Sequence, residues 1–152
     1  MPVAEEVERL VSGLRKVYHD KRPVIDTDVA AAIRFRGDTG DFLELAGNLL
    51  DNACKWCKGR VSITVRHSAT ARDGRGGMRL IVDDDGPGIP EDAAEVLLER
   101  GMRLDEATPG HGIGLAIVRD LAKAYGGSLT IGRSALGGAK FTVDIPPAAD
   151  RR

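Results

Sequence analysis

The sequence has few aromatic residues, almost no net charge and no long apolar run. Phe, Trp and Tyr make up 4% of the 152 residues, and the formal net charge is −1. A low aromatic content argues against base-stacking platforms, and a balanced charge gives no electrostatic reason to bind nucleic acid or an anionic membrane. No apolar run reaches the roughly 18 residues that a membrane span needs. We therefore expect one globular domain with no nucleic-acid partner.

Cysteine is also scarce. The two residues, Cys54 and Cys57, form a C-x-x-C pair with no second ligand pair elsewhere in the chain. The pair falls late in a predicted helix, whereas a reactive thiolate is typically stabilised at a helix N-terminus. We interpret the two residues as reduced thiols that pack in the core of a cytosolic protein.

The segment 41–57 has helical periodicity with two distinct faces. Its apolar stripe consists of Phe42, Leu45, Leu49, Ala53 and Trp56, and its polar stripe of Glu44, Asn48, Asn52 and Lys55. Asp41 and Glu44 have the spacing of a capping box at the start of this helix. Asn is a poor helix former, so two carboxamides one turn apart suggest a function. Asn carbonyl oxygens are suitable Mg²⁺ ligands, and Lys55 could offset phosphate charge.

The remaining pattern alternates helices with strand pairs. Helices are predicted at 2–19, 91–100 and 113–125, and strands at 24–29, 33–36, 61–67, 78–83, 128–133 and 140–145. Residues 101–110 read as a mobile loop, and those after 146 as a disordered tail. Strands that come in pairs favour an α+β fold. We expect a two-layer α/β sandwich, with helices on one face of a mixed, mainly antiparallel sheet.

Two glycine motifs follow the amide helix. In residues 83–90, DDDGPGIP, the carboxylate of Asp84 could accept a hydrogen bond from an exocyclic amine, while Gly86 and Gly88 let a flat ligand approach the backbone. An acidic β-turn explains this stretch equally well. Residues 110–114, GHGIG, open a helix and could bind phosphate through backbone N–H groups, or form an ordinary glycine-rich loop. The stretch lacks the context of a dinucleotide fingerprint, and no P-loop occurs.

The order of these three motifs resembles the nucleotide-binding (Bergerat) fold of the GHKL superfamily, which contains gyrase, heat-shock chaperone ATPases, histidine kinases and MutL. NLLDNACKW, residues 48–56, is similar to the N box of sensor histidine kinases. GHGIGLAIVRDLAKAYGGSLTI, residues 110–131, is similar to their second glycine box and the elements after it. The likeness extends over about residues 10–146, and it is strongest to the PhoQ-type kinases.

The resemblance implies that the chain binds ATP and Mg²⁺. The implied metal ligands are Asn48 and Asn52. The implied adenine site is Asp84 with Gly86, Gly88 and Ile89. The implied phosphate and sugar contacts are Lys55, Trp56, Gly110, Gly112 and Gly114, and the further implied nucleotide-binding residues are His111, Ile113 and Leu115. Residues 101–111 would form the lid over ATP, and Arg103, His111 and Lys55 would be the catalytic side chains.

The chain also departs from the family pattern. It has no phenylalanine-rich box before the lid, and Thr108 and His111 stand where PhoQ-type lids have Arg and Gln. It contains no phosphoacceptor motif. The resemblance therefore implies a catalytic domain at 21–146, preceded by the remnant of a dimerisation helix at 1–20 and followed by a disordered tail at 147–152.

The same resemblance implies the partners and the location. They would be a phosphoacceptor His on a separate domain and a downstream response regulator. The parent would be a homodimer of the bacterial inner membrane, and this fragment a monomeric cytoplasmic domain. Two alternatives stay open. The chain could be a stand-alone regulator such as an anti-sigma serine kinase, or an ATPase that uses Glu44 as a base. We prefer a helix-capping role for Glu44.

Overall fold

The structure, a computed structural model, describes residues 2–68, 76–90 and 114–147. The helices of these residues are α1 (Val3–Val17), α2 (Thr39–Trp56) and α3 (Gly114–Ala124). The strands are β1 (Val24–Val29), β2 (Arg60–His67), β3 (Met78–Asp84), β4 (Ser128–Arg133) and β5 (Ala139–Ile145). The predicted helix at 91–100 lies outside the described residues, as do the loop at 101–110 and most of the tail.

The strands form one mixed sheet in the order β1-β2-β3-β5-β4. β1 and β2 are parallel and are joined through α2, whereas the other three neighbouring pairs are antiparallel. In the register, Val82 of β3 lies opposite Ile63 of β2 on one side and Phe141 of β5 on the other. The predicted two-layer sandwich with a mainly antiparallel sheet is thereby confirmed.

One face of the sheet is buried under the helices. α2 lies against β2 and β3, and α3 lies against β4 and β5. Alternate strand residues such as Val65, Leu80 and Val143 are fully buried, as expected for strands with one face in the core. The apolar stripe of α2 meets them, with Phe42 and Leu49 at zero exposure. The core therefore fixes which side of α2 faces the sheet.

The first helix packs on the same core. Val3, Val7 and Val11, at helical spacing, are at most 1% exposed. α1 contacts α2 and β1, and Tyr18, just after it, donates its hydroxyl to the carboxylate of Asp51 at 2.7 Å. The helix is thus held to the domain by apolar packing and by hydrogen bonds such as that from Arg15 to the carbonyl of Ile25 at 3.3 Å.

Two local predictions were wrong. Residues 33–36 do not form a strand; Arg34 makes only an isolated bridge to Pro2, although Ile33 and Phe35 are buried as their alternation indicates. The capping box at Asp41 and Glu44 was also wrong, because α2 begins at Thr39. Both carboxylates are engaged elsewhere, as described below.

The end of α3 is linked to the start of α2 through Tyr125. Its hydroxyl donates to the carboxylate of Asp41 and accepts from the backbone N–H of Asp38 at 3.2 Å. The guanidinium of Arg36 lies 5.1 Å from the centre of the Tyr125 ring, and the ring of Phe35 packs at 5.2 Å. α2 and α3 therefore run antiparallel, with this cluster at one end of their contact.

Candidate functional site

The two glycine motifs both meet the amide helix. A Cβ built at Gly86 would lie 2.4 Å from the carbonyl oxygen of Trp56, the last residue of α2. A Cβ built at Gly114, the first residue of α3, would lie 3.0 Å from Oδ1 of Asn48. Only glycine allows the first of these approaches. One residue of each glycine motif, Gly86 and Gly114, is thus brought against α2, although the two are far apart in the sequence.

Asp84 is the buried acid of the site, with 2% of its surface exposed. Its Oδ1 accepts hydrogen bonds from the backbone N–H of Gly86 at 2.9 Å and of Ala139 at 3.2 Å. The N–H of Gly138 donates to the Asp84 carbonyl at 3.1 Å. The carboxylate is therefore held between its own loop and the β4–β5 hairpin.

The pKa of Asp84 is raised above its ordinary value, chiefly by burial. The two backbone N–H bonds oppose this rise, and the neighbouring carboxylates of Asp85 and Asp83 add to it. A buried carboxyl can discriminate ligands through one hydrogen bond, because water does not compete for it. This chemistry suits an exocyclic amine.

Asp85 has a different, structural role. One carboxylate oxygen, Oδ1, accepts from the backbone N–H groups of Lys58, Gly59 and Arg60 at 2.7, 3.1 and 3.1 Å. Burial by itself raises the pKa of Asp85, but the backbone hydrogen bonds outweigh it and hold the pKa below its usual value. This residue fixes the turn between α2 and β2 against the loop that follows Asp84.

The two amides of α2 have different surroundings. Nδ2 of Asn48 donates to the backbone carbonyl of Glu44 at 2.7 Å and to its carboxylate Oε2 at 3.1 Å. Asn52 is 8% exposed, and its Nδ2 is buried with no hydrogen-bond partner in the part of the chain that the structure describes. A buried unpaired amide is unfavourable. The unpaired Nδ2 of Asn52 fits a site that receives a phosphate oxygen or a metal-bound water.

The donor set as a whole fits Mg²⁺ and a nucleotide. The two Asn side chains supply neutral carbonyl oxygens, and Mg²⁺ in proteins is typically bound by a few such oxygens together with substrate phosphates. The close backbone approach at Gly86 leaves no room there for a side chain, and a side chain at Gly114 would crowd Oδ1 of Asn48.

The other described residues of the predicted site lie on the same elements. Leu115 is buried in the first turn of α3, and Ile89 is half-buried against the core. Gly88 has φ +77° and lies near Gly138, so a side chain there would be strained. Lys55 is exposed near the end of α2, where its carbonyl accepts from Lys21 at 2.9 Å.

The predicted residues of the lid fall outside the described part of the chain. They are Arg103, Thr108, Gly110 and His111, and the next two residues of the glycine motif, Gly112 and Ile113, fall outside it as well. Their proposed contacts with phosphate stay predictions.

The cysteines are packing residues, as interpreted from the sequence. Both thiols are free and buried, and Cys57 donates to the carbonyl of Cys54 at 3.4 Å. Burial raises the pKa of Cys54 to about 12, so this thiol is unreactive at neutral pH.

Sequence reasoning missed the contribution of the β4–β5 hairpin. A Cβ at Gly138 would lie 2.2 Å from Oδ1 of Asp84, so only glycine fits there. The adjacent glycines at 137 and 138 were the available signal, but nothing local indicated which residue they would meet. A cavity of about 310 Å³ also borders this hairpin, lined by residues 87–90, Gly132, Arg133, Gly137 and Gly138. Neither Asp84 nor Asn52 lines it.

Comparison with known proteins shows which family and which proteins this chain resembles. Residues 37–149 match the family described as histidine kinase-, DNA gyrase B- and HSP90-like ATPases. The chain is 43% identical over 142 residues to the sensor protein PhoQ of Escherichia coli O157:H7, a match that covers 93% of this chain and 28% of that protein. It is 46% identical over 143 residues to the sensor protein kinase CarS of Pseudomonas aeruginosa, covering 94% and 31%. It therefore spans less than a third of the length of these relatives.

Solved structures agree with the fold. The mycobacterial sensor histidine kinase MprB superposes with a TM-score of 0.74 at 27% identity, covering 99% of each chain. The catalytic domain of histidine kinase ThkA gives a TM-score of 0.81 over 99% of this chain and 97% of that one; at 19% identity it supports the fold alone.

Proposed function

The chain belongs to the family of histidine kinase-, DNA gyrase B- and HSP90-like ATPases, and on that premise we propose that it is the Mg-ATP-binding catalytic domain of a bacterial two-component sensor histidine kinase. It would donate the γ-phosphoryl group of ATP to a His on a separate domain. The observation that carries the proposal is the convergence on α2, where Gly86 lies against Trp56 and Gly114 against Asn48. Relatives named as sensor kinases, matched over more than nine-tenths of this chain, favour this reading over a stand-alone regulator.

In this proposal, Asp84 binds the adenine base of ATP. Its buried carboxylate accepts a hydrogen bond from the exocyclic amine of adenine, while the backbone at Gly86 and Gly88 leaves space for the flat ring. Ile89 and Leu115 are apolar and can contact the purine faces. Guanine presents a carbonyl where adenine has the amine, so the same carboxylate selects against it.

The phosphates lie along the polar stripe of α2. Asn48 and Asn52 would hold Mg²⁺ through their carbonyl oxygens, with Lys55 and Trp56 on the phosphate and sugar side. Bound Mg²⁺ would offset the negative charge of the phosphates. Gly114, with Gly110, His111, Gly112 and Ile113, supplies backbone around the phosphates, and Arg103 and His111 are the lid side chains proposed for the terminal phosphate.

The reaction breaks the bond between the γ-phosphorus and the bridging oxygen of ATP. A new bond forms from that phosphorus to an imidazole nitrogen of the acceptor, and ADP is released. This chain contributes position and charge, whereas the nucleophile comes from elsewhere. The proposed partners are therefore the phosphoacceptor domain and, downstream, a response regulator that takes the phosphoryl group.

For the location, we propose the cytoplasmic side of the bacterial inner membrane, with a homodimeric parent and this domain as a monomer. Within the described ranges, no helix is both long and apolar enough to span a bilayer.

Calorimetric titration tests the nucleotide site. Mg-ADP and a non-hydrolysable ATP analogue are titrated into the wild type, Asp84→Ala and the matched control Asp83→Ala, whose position is on the opposite face of β3. We expect binding by the wild type and the control, and affinity reduced by about 10- to 100-fold in Asp84→Ala, as for loss of a hydrogen bond to a charged group. Equal binding by Asp84→Ala would overturn the adenine assignment.

Phosphotransfer is tested with γ-labelled ATP. The isolated chain should take up no label, and a phosphoacceptor-histidine domain supplied in trans should acquire acid-labile, base-stable label. Autophosphorylation of the chain alone would contradict the assignment of the nucleophile to another domain.

A further inference from the structure

Glu44 makes a contact that neither capping nor water activation requires. It lies one turn before Asn48 on α2, and both of its acceptors, the backbone carbonyl and the carboxylate, receive a hydrogen bond from the same amide nitrogen. We propose that Glu44 is a positioning residue, which orients the carboxamide of Asn48 so that its carbonyl oxygen, and not its amino group, faces the metal and phosphates. This inference rests on the proposed function and assigns a new role within the same site.

The orientation follows from the chemistry of the neighbours. A carboxamide has an acceptor oxygen at one end and a donor nitrogen at the other, and its rotation by 180° exchanges them. Rotated in this way, Asn48 would place its oxygen at 2.7 and 3.1 Å from two other oxygens. That arrangement is repulsive, whereas the observed one forms two hydrogen bonds. The backbone carbonyl and the carboxylate of Glu44 therefore determine the rotamer together.

The other end of the amide points towards α3. Oδ1 of Asn48 is the atom nearest to the position that a Cβ at Gly114 would occupy, at 3.0 Å. Gly114 is the first residue of α3 and the last residue of the predicted phosphate-binding motif at 110–114. Glu44 thus binds the nitrogen end of the Asn48 amide, while the oxygen end faces the contact between α2 and α3.

Asn52 provides the contrast within the same helix. Its Nδ2 is buried and has no partner among the described residues, so nothing there fixes which end of the amide faces the ligand. Asn48 is therefore preorganised before any ligand arrives, and Asn52 is oriented by the ligand. Groups that orient a metal ligand in this way typically affect metal affinity by about 10- to 100-fold when removed.

The test compares Glu44→Ala with the isosteric Glu44→Gln. Gln keeps a carbonyl oxygen of the same reach that can accept from Asn48, whereas Ala removes it. We expect Glu44→Ala to lower the Mg²⁺-dependent gain in ADP affinity by about tenfold and to leave metal-free ADP affinity within about twofold. Glu44→Gln should restore the gain. If Glu44 activated water instead, Glu44→Gln would abolish ATP hydrolysis and Glu44→Ala would leave the Mg²⁺ gain intact, which would overturn the proposal.

A second readout needs no nucleotide. In ¹⁵N-edited NMR spectra of the free chain, the bond from Nδ2 of Asn48 to the side chain of residue 44 should give a hydrogen-bonded shift in the wild type and in Glu44→Gln that is lost in Glu44→Ala. The bond to the backbone carbonyl, which alanine retains, should persist in all three. Asn52 serves as the internal reference and should not change. An unchanged Asn48 signal in Glu44→Ala would refute the positioning role, whereas a chain that shows the shift but binds no Mg-ADP would refute only the proposed function.

Discussion

Removing the carboxylate of Asp85 should destabilise the domain by an amount that can be worked from its contacts. Its Oδ1 accepts three backbone N–H groups at 2.7–3.1 Å. Each hydrogen bond contributes about 0.5–1.5 kcal/mol net. In the variant, water can replace part of this hydrogen bonding, because Lys58 and Arg60 are exposed. We therefore expect Asp85→Ala to lower the free energy of unfolding by about 2 kcal/mol, at the upper end of the range for a lost helix cap.

The assay is urea and thermal unfolding followed by circular dichroism. For a domain of this size, 1 kcal/mol corresponds to about 2–4 °C in Tm, so the expected loss is about 4–8 °C. Asp85→Asn is the matched control, since it retains one side-chain oxygen but not the charge. It should lose about half as much, because hydrogen bonds to charged acceptors are roughly twice as strong as neutral ones.

The pH dependence gives an independent check on the same residue. The pKa of Asp85 is lowered in the folded state, so its stabilisation is fully present above the unfolded pKa of about 3.9. It is lost as the pH falls through the lower folded-state pKa. The difference in stability between the wild type and Asp85→Ala should therefore be constant near neutral pH and shrink in acid. A difference below about 0.5 kcal/mol, or one that does not change with acidification, would refute the reasoning.

Two further substitutions test contacts that hold the site together. Gly138→Ala should destabilise the domain by about 3 kcal/mol, because its Cβ would lie 2.2 Å from Oδ1 of Asp84. The control is Gly132→Ala, whose Cβ would have nothing within 4 Å and which should stay within about 0.5 kcal/mol of the wild type in the same thermal unfolding assay. Equal losses in the two variants would refute a local clash at Gly138. Tyr125→Phe should lower stability by about 1 kcal/mol through loss of the bond to Asp41; a double-mutant cycle with Asp41→Asn checks this, and strictly additive losses would show that the pair is not coupled.

Periodicity predicted the fold well where a side-chain pattern reports burial directly. The apolar stripe of α2 and the alternation along β2 and β3 were confirmed, with ends within two residues. The same alternation was misleading at 33–36, because it records that Ile33 and Phe35 point inward but not whether a neighbouring strand is available. The start of α2 was misplaced since the Asp41 carboxylate that suggested a cap instead accepts from Tyr125, 84 residues away.

The motifs of the site were predicted from the sequence, but the residues that hold them in place were not. Local spacing located the amides of α2 and the acid at Asp84, because those residue types are unusual in their positions. The partners of these residues come from the register of distant strands. Ala139 donates to Asp84 only because β3 and β5 are paired, and no local pattern encodes that pairing. The contact between Glu44 and Asn48 is local, but a one-turn spacing is equally compatible with a cap, a base or a positioning residue.

The order of strands in the sheet has a consequence for how the chain folds. β2 and β3 are consecutive, as are β4 and β5, so each antiparallel pair can form from nearby residues. The two halves join only when Met78 comes opposite Ile145, and pairing between residues so distant in the sequence slows folding, because loop-closure entropy is lost before the contacts form. Until then both halves expose unpaired strand edges, which favour aggregation. Since the same pairing brings Ala139 to Asp84, the site is completed only with this late step, and nucleotide should stabilise the finished fold without accelerating its nucleation.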